Sequence, residues 1–186
     1  LPRGRPPGKL DALARAVAAR IFCEEAKMQA SLPAIRDFLA QRRIAVVGLS
    51  HDPKDFSHSV WKELAAHDHD LVGVNAAHAG EELEGRVTLA RVQDADPPVD
   101  AALVLTSAER SAEAVRDALE AGVRRIWLFR AAGPGAVSDE AIALCKEAGA
   151  LVIPGECPLM FQEDAAWYHR LHAGFNHLCG CYPADA

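Results

Sequence analysis

At 186 residues, half of them hydrophobic, the chain can bury one core and is too short for two ordinary domains joined by a linker. A formal charge of -6 and a pI near 5.7 argue against nucleic acid, whose binding rests on neutralising many phosphates. No apolar run approaches the roughly 20 residues of a membrane span, the N-terminus lacks a secretory signal's apolar block, and the irregularly spaced cysteines read as reduced thiols, so a cytoplasmic protein without membrane contact is expected.

Leu1 to Gly8, rich in proline and glycine, is expected to form a flexible arm, and Leu10, Leu13, Val17 and Ile21 space an amphipathic helix after it. Residues 1–30 are thus expected to be an arm and helix extending the domain. Ser31 caps a short helix through Ile35 and Phe38, with Pro33 in its first turn. Ile44 to Val47 then runs apolar into Gly48, as a strand buried on both faces of a parallel sheet does. Helical spacing follows from Ser57 to His67, and Leu71 to Val74 is the next strand.

The alternation continues with a short strand over Val87, Thr88 and Leu89, an apolar strand from Ala101 to Leu105, and a helix from Glu109 to Ala121 stopped by Gly122. Arg125 to Phe129 is a strand, Ser138 caps a helix ending at Gly149, and Leu151 to Ile153 closes the sheet before Pro154. Strands alternating with helices predict a Rossmann-like three-layer α/β sandwich over residues 31–162. Its parallel sheet has five or six strands, with helices at the N- and C-terminal ends. Residues 163–186 are expected to form a helical tail.

Ligands of such sheets sit beyond the carboxyl ends of the strands, at the switch in strand order. Gly48, Leu49 and Ser50 therefore face the expected site. Ser57 to Ser59, where the next helix begins, are expected to offer unpaired amides to a phosphate, with Lys54, His51 and His58 as nearby cations. Asn75, Thr106, Ser107, Phe129, Arg130, Cys157 and Pro158 fall at or near the other strand ends. The absence of Gly-x-Gly-x-x-Gly, whose three glycines each answer a steric need, counts against ordinary NAD or FAD binding, as does Asn75 where a carboxylate would hold the ribose. Taken singly, Gly48 is also an ordinary turn glycine and Ser57 an ordinary cap.

The segments Ile44 to Ser50, Val74-Asn75, Pro98-Val99-Asp100, Ile126-Trp127-Leu128 and Glu156-Cys157-Pro158 resemble the stand-alone CoA-binding proteins. Their Rossmann-like domain is similar to the N-terminal domain of the succinyl-CoA synthetase alpha subunit. The likeness runs from about Ile35 to Phe161. It implies coenzyme A or an acyl-CoA lying over the strand ends, its phosphates near Gly48 to Ser50 and Ser57, its adenine near Asn75, Thr106 and Ser107. It also implies a binding module rather than an enzyme. Two positions depart from the family pattern: Ala76 replaces a proline, and Glu156 replaces an arginine at the rim.

Rival constellations are a Cys157-dependent redox or acyl-transfer enzyme, another adenine nucleotide such as NAD(P), and a metal site built from His169, His172, His177, Cys179 and Cys181. The tail reads more simply as a helix packing Trp167, Leu171 and Phe175 on the domain, with no metal. Glu81, Glu82 and Glu84 read as a solvated face. The apolar faces of the two terminal helices suggest a homodimer.

Overall fold

The computed structural model describes residues 30–130 and 135–161. Helix α1 spans Leu32–Leu39, its N-terminus closed by the Ser31 hydroxyl accepting from the Ala34 amide. Strand β1 spans Arg43–Val47, helix α2 Phe56–Ala66 and strand β2 Asp70–Val74. A small antiparallel hairpin follows, with β3 at Glu82–Leu83 and β4 at Arg86–Val87. Strand β5 is Ala101–Val104, helix α3 Ala108–Glu120, strand β6 Arg125–Leu128, helix α4 Asp139–Glu147 and strand β7 Leu151–Pro154.

Five parallel strands form the sheet in the order β2-β1-β5-β6-β7, the Rossmann-like arrangement expected. Alternating strand residues feed two cores, which is why these runs are apolar without interruption. Ala45, Val47, Ala102, Val104, Ile126 and Leu128 pack against α3 and α4. Ile44, Val46, Leu103, Trp127 and Ile153 pack against α1 and α2. In the second core Phe38 meets Trp127 edge-on at 5.2 Å, a pairing that adds about 0.5–1.5 kcal/mol to its burial. The indole N–H of Trp127 donates to the Glu156 carbonyl at 2.8 Å, which fixes the segment leaving β7.

The expected strand over Val87 to Leu89 is replaced by two smaller features. Val87 ends the β3–β4 hairpin, while Leu89 alone bridges Val74 in parallel, donating its amide to the Gly73 carbonyl. The sheet therefore has five strands and a one-residue rudiment at its β2 edge. Helix α2 begins one residue before Ser57, because the Asp55 carboxylate, not a serine hydroxyl, takes the first free amide. Among the described residues no helix is long and apolar enough to cross a membrane. The expected helix over Leu10 to Met28, the tail helix and its histidines and cysteines, and the surfaces proposed for a dimer lie outside the described residues.

Candidate functional site

The chain leaves β1 toward β2 on one side and returns from β2 to β5 on the other, so the strand order reverses between β1 and β5. Side chains cannot close the gap where two loops diverge, and a cleft forms there. It encloses about 1050 Å³, and its walls include Gly48, Ser50, Asn75, Thr106, Ser107 and Arg110. His51, Asp55, Ala76, His78 and Arg91 extend the rim.

Gly48 is required by the protein's own packing. Its φ is +93°, and a Cβ there would lie 3.0 Å from Thr106 Cγ2 and 3.1 Å from the Thr106 nitrogen. The turn after β1 thus presses against the end of β5, and only glycine permits both the angle and the contact. Thr106 Oγ1 is buried with no hydrogen-bond partner among the described residues.

The expectation of open amides at Ser57 is not met. Ser57 is 3% exposed, its N–H donates to Asp55 Oδ1 at 2.8 Å, and its hydroxyl accepts from the Ser50 amide at 3.1 Å. The loop continues in the same way: the Asp52 amide donates to Ser50 Oγ, and the Lys54 amide to Asp52 Oδ1. A loop whose polar residues satisfy its own amides is rigid, but it offers few of them to an anion. The start of α3 differs. Ser107 makes no side-chain cap bond to the helix, and both Ser107 and Arg110 line the cleft. The exposed carboxylate of Glu109 is held low by its own amide and by the Ser107 hydroxyl. The sequence made the first turn the anion site; the geometry brings the second crossover helix to the cleft as well.

Asn75 is in the cleft wall, and its amide group already works within the protein. Nδ2 donates to the Leu49 carbonyl at 2.9 Å and Oδ1 accepts from the Ala77 amide at 3.1 Å. It joins the end of β2 to the loop after β1. Leu49 is fully buried beneath that loop, and Lys54 is exposed outside the cleft walls.

Phe129, Arg130, Cys157 and Pro158 form a separate group on the α2 side. Phe129 is buried and stacks on the exposed ring of Phe56 at 5.2 Å, 17° from parallel. Pro158 is buried at the start of a short turn, and Cys157 is half-buried beside it. Burial pushes the Cys157 thiol up to about 11. Burial likewise raises Glu156 to about 7, against the pull of Arg130. The carboxylate that replaces the family's arginine therefore carries only part of its charge at neutral pH.

One feature was illegible in the sequence. His58, 5% exposed, sits between two acceptors, Nε2 at 2.9 Å from the Ser50 carbonyl and Nδ1 at 2.7 Å from Glu84 Oε1. Burial works against ionising Glu84, yet hydrogen bonds from His58 and Lys62 hold it below the usual carboxylate range. Glu84 is thus an anchor for the loop rather than a member of a solvated face. Only the choice of His among the polar residues of α2 hinted at this.

A five-stranded parallel sheet between helices, with a cleft at its strand-order switch, defines a Rossmann-like domain. Residues 42–163 match the CoA binding domain, and the chain belongs to that family. An uncharacterized protein of Bacillus subtilis (strain 168), YneT, is 31% identical over 116 residues, 62% of this chain and 82% of that protein. A hypothetical protein from Pyrococcus horikoshii OT3 is similar in structure, with a TM-score of 0.61 and 26% identity over 67% of this chain and 84% of that one. A Thermus thermophilus protein, cell-free ID.343, gives a TM-score of 0.60 and 28% identity over 66% and 90%. The dinucleotide-forming acetyl-coenzyme A synthetase 1 of Ca. Korarchaeum cryptofilum shares the fold at a TM-score of 0.55 and 22% identity, over 64% of this chain and 26% of its own.

Proposed function

We propose that the protein binds coenzyme A or an acyl-CoA across the carboxyl ends of β1 and β5, without catalysis of its own. The observation that carries this is a cleft of about 1050 Å³ at the strand-order switch of a chain belonging to the CoA binding domain family. Its size stands near the upper end of small-molecule sites, about 300–1000 Å³, as an elongated cofactor needs. The phosphates lie against the turn Gly48 to Ser50 and the start of α3, where Arg110 supplies donors and the helix dipole favours negative charge. The nucleotide occupies the cleft near Asn75 and Thr106. The pantetheine arm leaves it toward Phe56 and Phe129, with Arg130, Cys157 and Pro158 at its end.

A Cys157-dependent enzyme finds less support. A thiol near 11 is ionised at neutral pH in roughly one molecule in ten thousand, and the thiolate is the nucleophile. NAD(P) is disfavoured by the single glycine of the first turn.

Thermal unfolding with CoA, acetyl-CoA, NAD, NADP and ATP tests the proposal. A ligand at a hundredfold its Kd stabilises the native state by about 2.7 kcal/mol. In a chain of this size that is a Tm rise of roughly 5–10 °C. CoA species are expected to give that rise and NAD none. No rise with CoA species at millimolar concentration would overturn the reading.

A further inference from the structure

We propose that His51, His78 and Glu81 form a binding site for a divalent transition-metal ion of the zinc type at the rim of the cleft. The three come from two places in the chain. His51 lies in the loop after β1, His78 ends the short turn after β2, and Glu81 follows that turn. One potential ligand atom from each lies within 4.8 Å of the others. Both imidazoles turn Nδ1 toward the same carboxylate, His51 at 2.8 Å from Oε2 and His78 at 3.2 Å from Oε1. The rings stack at 5.0 Å and 18°, so both nitrogens reach the carboxylate from one side.

A tetrahedral zinc ion with bonds of about 2.0–2.1 Å holds its ligand atoms about 3.3 Å apart. The two nitrogen–oxygen separations, one to each oxygen of the carboxylate, are within half an ångström of that, and all three groups reach within 4.8 Å of one another, so the side chains need only draw together around the ion. Two imidazoles and a carboxylate are a donor set that zinc and its neighbours prefer and that magnesium and calcium do not. The support is firm on one side: the Glu81 amide donates to the His78 carbonyl, and the Thr88 amide to the Glu81 carbonyl. On the other, His58 holds the Ser50 carbonyl just before His51. On binding, each Nδ1 gives up its proton to solvent or to Nε2 and offers its lone pair, while Glu81 exchanges two hydrogen bonds for the ion. His51 and His78 line the cleft, so the ion sits where its open positions meet whatever occupies it.

The test titrates zinc alone, with no cofactor, into the full chain stripped of metal, so its outcome is independent of CoA binding. The full chain also carries histidines and cysteines in residues 163–186, and the readout is therefore a difference. By calorimetry, H51A and H78A are each expected to bind one equivalent of zinc fewer than the parent. His51 is two-thirds exposed in its side chain, 67%, so H51A tests the site without disturbing the core. Nitrogen-15 spectra of the histidine rings supply a second readout. Zinc should move the Nδ1 signals lost in H51A and H78A, and E81Q should weaken that response at least tenfold. Equal stoichiometry in parent and variants, or unmoved Nδ1 signals for these two rings, would overturn the site.

Discussion

Glu156 shows how one residue can couple the rim of the cleft to stability. Its carboxyl is raised to about 7 from the ordinary 4.5, because burial penalises the charge more than Arg130 relieves it. The protonated form thus favours the folded state. That contribution is complete below about pH 4.5 and is lost as the pH rises through 7. The full shift corresponds to roughly 3 kcal/mol, and partial exposure reduces this to about 1–2 kcal/mol. Glu156→Gln should therefore match the parent in urea unfolding at pH 5 and exceed it by about that amount at pH 8. Equal stability at both pH values would show that the side chain is solvated. Residues of this kind were only half legible in the sequence. Asn75 and Gly48 stood out by type and position, but the sequence could not tell that Asn75 binds Leu49 and Ala77, or that Gly48 yields to Thr106. Those partners are set by how two loops meet, which local pattern does not encode.

Among the elements, the loop between β1 and α2 is tied to the β3–β4 hairpin through His58. His58 on α2 reaches back to the Ser50 carbonyl and across to Glu84 at the β3–β4 hairpin. Removing the ring leaves the half-buried Ser50 carbonyl without its partner, at a cost of about 1–3 kcal/mol when no water replaces it, and leaves Glu84 to Lys62 alone. His58→Ala should lower stability by at least 1 kcal/mol and speed amide exchange in residues 50–57 and at the hairpin, leaving β6 and β7 unchanged. Exchange that rises evenly over the chain would mean that the histidine serves the core and not the loop. The five sheet strands were readable because each is apolar on both faces, and the helices because serines stand before α1, α3 and α4 and glycines follow α3 and α4. The hairpin was not, since strands of two residues have no period to detect. Asp55 was overlooked as the cap of α2 because serines stood just beyond it.

Across the whole molecule, the expected binding residues divide between two groups, one of which lines the cleft. Gly48, Ser50, Asn75, Thr106 and Ser107 line the cleft, whereas Phe129, Cys157 and Pro158 belong to the layer built by α1 and α2. A compact ligand would use one group only. In the orientation proposed above, CoA would use both, its nucleotide in the cleft and its pantetheine arm crossing the strand ends to the Phe56 and Phe129 rings. That orientation separates two affinities. Phe56 is 41% exposed and stacked on Phe129, so truncating it removes apolar contact for the arm from an exposed position. Phe56→Ala should weaken CoA by roughly three- to tenfold, the worth of about 1 kcal/mol of buried aromatic surface. Adenosine 3′,5′-bisphosphate, which has the nucleotide and no arm, should bind parent and variant alike, as measured by calorimetry. If the fragment loses as much as CoA does, the nucleotide and not the arm lies on the aromatic pair, and the orientation must be reversed.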